Sequence, residues 1–213
     1  MDRSGAREES RRLLLGLLLF YGLFWTWLAI APVDRHDWLL ENLLPLALLA
    51  VLALTYRRFQ FSVTSYCLVG LFLTVHAVGA DYTYAEVPFG FWLKDFLILS
   101  RNPFDRIAHF SYGLLLVYPL RELLVRQTGV RGFWAPFLSV AVILAQSGFF
   151  EMAEAVVASI VSPELGSTYL GTQGDEWDAQ KDMAAALTGA LLTTCVSFAR
   201  SRFATAKMTP ISR

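Results

Sequence analysis

Six stretches of the chain stay apolar over about 20 residues, the length an α-helix needs to cross a hydrocarbon layer of about 30 Å. They run from Leu13 to Ala31, Trp38 to Tyr56, Phe61 to Ala80, Ile107 to Val125, Phe133 to Ile160 and Met183 to Ala199. A backbone in lipid must satisfy its own hydrogen bonds, and for segments of this kind the regular solution is the helix. The predicted fold is therefore all-α: a polytopic membrane protein with six transmembrane helices, forming a single integral membrane domain over residues 1–213. Composition agrees, because only 17% of the residues are charged, against about 25% in a soluble domain. The first run resembles a signal peptide, with arginines before it and Ala29-Ile30-Ala31 at its end, but it exceeds the usual ~7–15 apolar residues and reads as a retained helix. The apolar stretch at 89–99 is too short to span and is predicted to be interfacial or re-entrant.

The basic residues test the helix count. With the N-terminus in the cytoplasm, 13 of the 18 Lys and Arg fall on the cytoplasmic side, and only Arg35, Lys94, Arg101, Arg106 and Lys181 fall on the other. That asymmetry predicts a bacterial cytoplasmic (inner) membrane protein with both termini inside. The acids divide the opposite way, since only Asp2, Glu8, Glu9 and Glu122 join the basic side. Equal totals of acid and base argue against a strongly basic nucleic-acid binder. Cys67 and Cys195 lie inside apolar runs, where a thiol acts as a small hydrophobe rather than half of a disulfide.

Ionisable groups in or at the mouth of a membrane bundle cost free energy, so they mark function or a specific pairing. Four clusters qualify, and alternating helix direction brings all four to the exoplasmic level. His76 ends the third run, just before Asp81-Tyr82-Thr83-Tyr84-Ala85-Glu86. Asp105 and His109 open the fourth, four residues apart and so on one helix face. Glu151 and Glu154 lie near the outer end of the fifth, and Asp178 and Asp182 begin the sixth, with Asp175 upstream. Such groups must protonate, pair with Arg101 or Arg106, or bind a cation. Carboxylates and imidazoles from several helices are how bundles build metal sites. On that reading His76, Asp105, His109, Asp178 and Asp182 are the metal ligands, suited to Zn, Mn, Fe or Mg without selecting among them. Glu151 and Glu154 are the candidate catalytic bases. Asp81, Tyr82, Tyr84, Glu86, Arg101, Arg106, Gln173 and Asp175 are the candidate substrate contacts. The competing reading is a hydrogen-bonded polar cluster that fixes helix packing.

Other features are less specific. Tyr82, Tyr84, Phe89, Phe91, Trp92, Phe96 and Phe104 read as an aromatic belt at headgroup level, or as a sugar- or lipid-contacting wall. Ser167 to Gly174 reads as a polar, glycine-punctuated loop without a phosphate-binding fingerprint. Gly16, Gly22, Gly70, Gly113 and Gly189 read as close-packing positions, and Thr74 and Gln146 as interhelical hydrogen bonders. No serine, cysteine or threonine sits in a nucleophile motif.

The blocks from Gly79 to Gly90, from Arg101 to Phe110, and from Tyr169 to Met183 resemble the YjdF-type family of bacterial inner-membrane proteins, a domain of unknown function. The resemblance runs from about His76 to Gly189; it implies a location and a topology but no reaction. A weaker likeness is to VanZ-like membrane proteins, in which Asp105, His109, Glu151, Asp178 or Asp182, and Gly189 would fill the shared positions; it implies a role in the cell envelope. Two functions follow from the residues. One is a metal-dependent enzyme acting on a lipid or envelope precursor; the other is a non-catalytic carrier or binding module for a cation or envelope ligand. Its partners are the lipid bilayer and such a ligand, with no nucleic acid.

Overall fold

The computed structural model describes the backbone of residues 3–208 and the side chains of residues 8–200. Asp2, Arg3, Arg7, Arg202, Lys207 and Arg213, which enter the charge comparison, have side chains outside the described residues. Among the described residues there are nine α-helices and no strands. They are α1 (Arg3–Leu28), α2 (Arg35–Glu41), α3 (Leu43–Thr55), α4 (Val63–Asp81), α5 (Pro88–Leu97), α6 (Phe104–Thr128), α7 (Trp134–Ile160), α8 (Pro163–Leu170) and α9 (Asp178–Met208).

Five stretches are long and apolar enough to cross a membrane: within α1, across α2–α3, α4, α7 and most of α9. The sixth long helix, α6, has 25 residues, and its charges gather at its ends, at Asp105 and Arg106 and at Arg121, Glu122 and Arg126. This all-helical membrane architecture agrees with the six predicted runs. Leu19, Phe20, Leu54, Phe149 and Ile160 are exposed, as a lipid-facing surface requires.

Helix α6 is central and packs against α4, α7 and α9, while α1 lies on α4 and α8 packs against both α7 and α2. The α6–α9 contact is the closest. A Cβ at Gly113 would fall on the Ala186 carbonyl, and one at Gly189 would fall on the backbone of Phe110 and Leu114. Thr193 Oγ1 also donates to the Leu114 carbonyl at 2.6 Å. Val117, Ile143, Ala186 and Ala190 fill the core beside this seam. Two of the five glycines thus pack as expected. Gly16, Gly22 and Gly70 do not, because nothing stands within 4 Å of their would-be Cβ atoms. Gln146 bonds between helices as expected, accepting from the Tyr112 hydroxyl at 2.6 Å, whereas Thr74 bonds back to the Gly70 carbonyl of its own helix.

The second run is interrupted at Asn42, three residues before Pro45, and the Asn42 side chain bonds both to α1 and back to α2. Its Oδ1 accepts from Trp25 Nε1 at 2.6 Å and its Nδ2 donates to the Trp38 carbonyl at 2.7 Å. The polar turn before Trp38 is helical too, capped by Asp34, which accepts from the amides of His36 and Asp37.

Each long connection holds a short helix. Helix α5 starts at Pro88 and, at about 15 Å, is half a bilayer core in length. Phe89, Trp92 and Phe96 stack along its exposed side, with centroids 5.7 and 5.5 Å apart. This is the short apolar segment predicted at 89–99. The predicted loop from Ser167 to Gly174 is only partly a loop, since Ser167–Leu170 form the last turn of α8. That helix is capped by Ser162, starts at Pro163 and stops at Gly171, which takes φ +57°.

At the opposite end of the bundle Glu122 accepts from the Ser62 amide at 2.8 Å and the Ser65 hydroxyl at 2.5 Å, and pairs with Arg126 at 2.6 Å. This joins the start of α4 to the end of α6.

Candidate functional site

Helices α6 and α9 run side by side from the level of the two long connections, so their first turns face one another. Asp105 and His109 come from α6, and Asp178 and Asp182 from α9. One donor atom each of Asp105, His109 and Asp182 lie within 4.8 Å of one another. His109 Nε2 is 3.7 Å from Asp105 Oδ1 and 3.5 Å from Glu151 Oε1 on α7. That Glu151 oxygen is buried with no hydrogen-bond partner. Glu154, three residues on and one turn along the same helix, is 9% exposed.

Asp178 stands apart from this group because both arginines hold it. Arg101 pairs with it directly, and Arg106 Nη2 does so at 2.8 Å. Arg106 also reaches Asp175 at 2.8 Å and Asp182 at 3.3 Å. Asp175 receives Lys181 as well, at 2.7 Å. Lys181 and Arg106 together hold the Asp175 carboxyl below the usual carboxylate range. A lowered native value favours the folded state at higher pH. The contribution is complete above about pH 4 and fades as the pH falls toward the lowered value.

Several of the predicted substrate contacts are also bonded within the protein. Arg101 donates to the carbonyls of Thr172 at 2.8 Å and Gly171 at 3.3 Å. Gln173 pairs both ends of its amide with the Asn102 backbone, at 3.0 and 3.1 Å. Asn102, 1% exposed, donates to the carbonyls of Ala85 and Val87 and accepts from the Phe104 amide. Its amide also fills the space where a Gly90 Cβ would stand. The two long connections are therefore stitched together through residues 101–102 and 171–173.

His76 does not join the Asp105–His109–Asp182 group. Its Nε2 lies 3.1 Å from the Glu41 carbonyl and its Nδ1 2.5 Å from the Tyr84 hydroxyl. The carbonyl can only accept, so Nε2 carries the proton and Nδ1 accepts from Tyr84. Both nitrogens are occupied, and a metal would have to displace one of these bonds. Tyr84 reaches this position through a turn in which Thr83 and Tyr84 have φ of +50° and +51°, with its ring against Gly79. Burial pushes the Tyr84 hydroxyl well above its ordinary range, so it remains a protonated donor. Tyr82 caps the end of α4, Asp81 is buried beside it with Oδ1 unpartnered, and Glu86 is exposed. Of the predicted aromatic belt, Phe104 is buried and Tyr84 is turned inward, while Phe89, Trp92 and Phe96 face out.

Two carboxylates that the four clusters left out belong here. Asp37 is 1% exposed and Glu41 5%, and each has one buried oxygen without a partner. They lie on α2, which packs against α4 and α8, and the Glu41 carbonyl is the one that meets His76. Their spacing of four on a short capped helix next to an apolar run was the available signal.

A family described as "Predicted membrane protein (DUF2238)" matches residues 13–202. The chain is 40% identical to "Inner membrane protein YjdF" of Escherichia coli (strain K12) over 193 residues, which cover 90% of this chain and 88% of that protein. No solved structure matches. These findings carry the YjdF likeness and not the VanZ-like one. With the all-helical architecture, they show that the chain belongs to the DUF2238 family of membrane proteins.

Proposed function

We propose that the end of the bundle built by α6, α7 and α9 is a divalent-cation site, and that it assists a reaction on a lipid or envelope precursor. The observation that carries this reading is the convergence of Asp105, His109 and Asp182 within 4.8 Å. Two hard oxygens and an imidazole suit Zn, Mn or Fe, and three protein ligands leave a position open. A bound dication would lower the pKa of a water or polarise a phosphoryl oxygen. Glu151 is the base. Its unpartnered Oε1 beside His109 is free to take a proton. Arg106 bridges Asp182 and Asp178, which keeps the α9 ligand in place.

Metal content tests this. Protein purified without chelator should hold about one divalent ion per chain on the three-donor geometry, and His109→Gln should remove most of it while expression stays near wild type. Wild-type protein that carries none, and takes up none from Zn, Mn, Fe or Mg, would sink the enzyme reading and leave a binding module or carrier.

The site opens outward in this reading, with both termini in the cytoplasm of a bacterium. A reporter fused after Arg213 should read cytoplasmic and one inserted near Glu164 exoplasmic; matching signals would refute that orientation.

A further inference from the structure

Helix α1 packs along α4, while α3 joins the same core cluster through the side chains of Leu48, Leu49 and Leu52. Between α1 and α3 this leaves an apolar groove of about 220 Å³. Leu18, Tyr21, Gly22 and Trp25 line it from α1, facing Pro45, Leu46 and Leu49 of α3. Leu18 and Leu46 are half exposed, so the groove opens toward the bilayer. Gly22 keeps it open, because nothing stands within 4 Å of the place its Cβ would take.

The dimensions say what can fill it. From Leu18 to Trp25 the groove runs about 10 Å along α1, so its volume corresponds to a cross-section of roughly 20 Å². That is the girth of one extended hydrocarbon chain. A helix of a second protein, about 10–12 Å across, is too wide. Water does not suit it either, since it needs several polar partners. Trp25 Nε1 is already given to Asn42 Oδ1 at 2.6 Å, which leaves the Tyr21 hydroxyl as the one polar group among the lining side chains.

The Trp25 end of the groove leads to a cation. The Trp25 ring lies 5.1 Å from that of Trp38, and the Arg35 guanidinium is 5.7 Å from the Trp38 ring. Arg35 donates from Nη1 to the Ala29 carbonyl at 2.6 Å and from Nη2 to the Ile30 carbonyl at 2.9 Å, which fixes it at the end of α1. A guanidinium has five N–H groups, so donors remain, and its planar fork suits a phosphate. An apolar slot one chain wide, with an exposed arginine two ring contacts away, has the order of parts of a phospholipid. We propose that the groove between α1 and α3 holds one acyl chain of a phospholipid whose phosphate is bound by Arg35. Helices α6, α7 and α9 contribute nothing to this site, so it stands or falls apart from the cation site.

Native mass spectrometry of the full chain, delipidated in detergent and titrated with phosphatidylglycerol, tests it. Phosphatidylglycerol and its single-chain lyso form should both bind, and glycerol 3-phosphate, which has no chain, should not. Gly22→Leu places a side chain in the open space and should weaken phosphatidylglycerol at least about tenfold, with no fall in the Tm of the lipid-free protein. Leu46→Trp narrows the groove from the opposite wall and serves if Gly22→Leu does not fold. Wild-type protein should prefer phosphatidylglycerol to dioleoylglycerol, which lacks the phosphate, and Arg35→Gln should abolish that preference. Absence of phosphatidylglycerol binding overturns the proposal, as does binding unaltered in both groove variants. Equal affinity for dioleoylglycerol, or a preference that survives Arg35→Gln, overturns the role of Arg35. A dimer that Gly22→Leu abolishes while lipid binding stays intact would assign the groove to a second copy instead.

Discussion

Replacing Arg101 with alanine should cost the protein about 3–5 kcal/mol, the range for removing one partner of a buried ion pair. The guanidinium is 10% exposed, touches Asp178, and lies 3.8 Å from Asp105. Without it Asp178 keeps only Arg106, and the Thr172 carbonyl loses its donor. Unfolding followed in mixed micelles should show the loss. Arg101→Lys should recover little, because an ammonium cannot reproduce a fork that reaches Gly171, Thr172 and Asp178 together. Adding Asp178→Asn to Arg101→Ala should restore part of the stability, since it removes the stranded charge. A single variant within about 0.5 kcal/mol of wild type, the size of an ordinary surface change, would contradict this account.

Asn102→Leu is the other large effect. It should cost about 3 kcal/mol, at roughly 1 kcal/mol or more for each buried group left unpaired. The groups are the carbonyls of Ala85 and Val87 and the amide of Phe104. Gly90→Ala should act in the same direction, because its methyl group needs the space of the Asn102 amide. Limited proteolysis supplies the second readout: cleavage should appear in the segments at 82–87 and 171–175 before any cut within α6 or α9. Uniform cleavage along the chain would instead mean that Asn102 supports the whole bundle.

The membrane-crossing helices were legible in the sequence because their signal, a long apolar run, is local. Asp105 with His109, and Asp178 with Asp182, were legible for the same reason, since spacing of four on one helix puts both on one face. What stayed hidden depends on distant partners. Arg101 and Asp178 are 77 positions apart, so spacing could not show that this arginine pairs with that aspartate. His76 looks like a ligand until Tyr84 and the Glu41 carbonyl are seen on its two nitrogens. The break at Asn42 follows from Pro45, which has no N–H and crowds the Glu41 carbonyl; read as one apolar run, the second stretch leaves Asp37 and Glu41 at its margin. Helix α8 could have been found from Ser162-Pro163 and Gly171, but Gly166, Ser167 and Thr168 are poor helix formers that masked it.

The glycine seam between α6 and α9 also decides which parts of this end can move. With Gly113 against Ala186 and Gly189 against Phe110, neither helix can slide or rotate past the other without backbone collision. Asp105, His109 and Asp182 therefore behave as a fixed anvil. Among the described residues no glycine contact of this kind ties α7, which bears Glu151 and Glu154, or α2, which bears Asp37 and Glu41, to α6, so rearrangement at this end is expected there. Exchange broadening on the microsecond-to-millisecond scale should concentrate at Glu41 and Glu154 while Gly113 and Gly189 stay sharp.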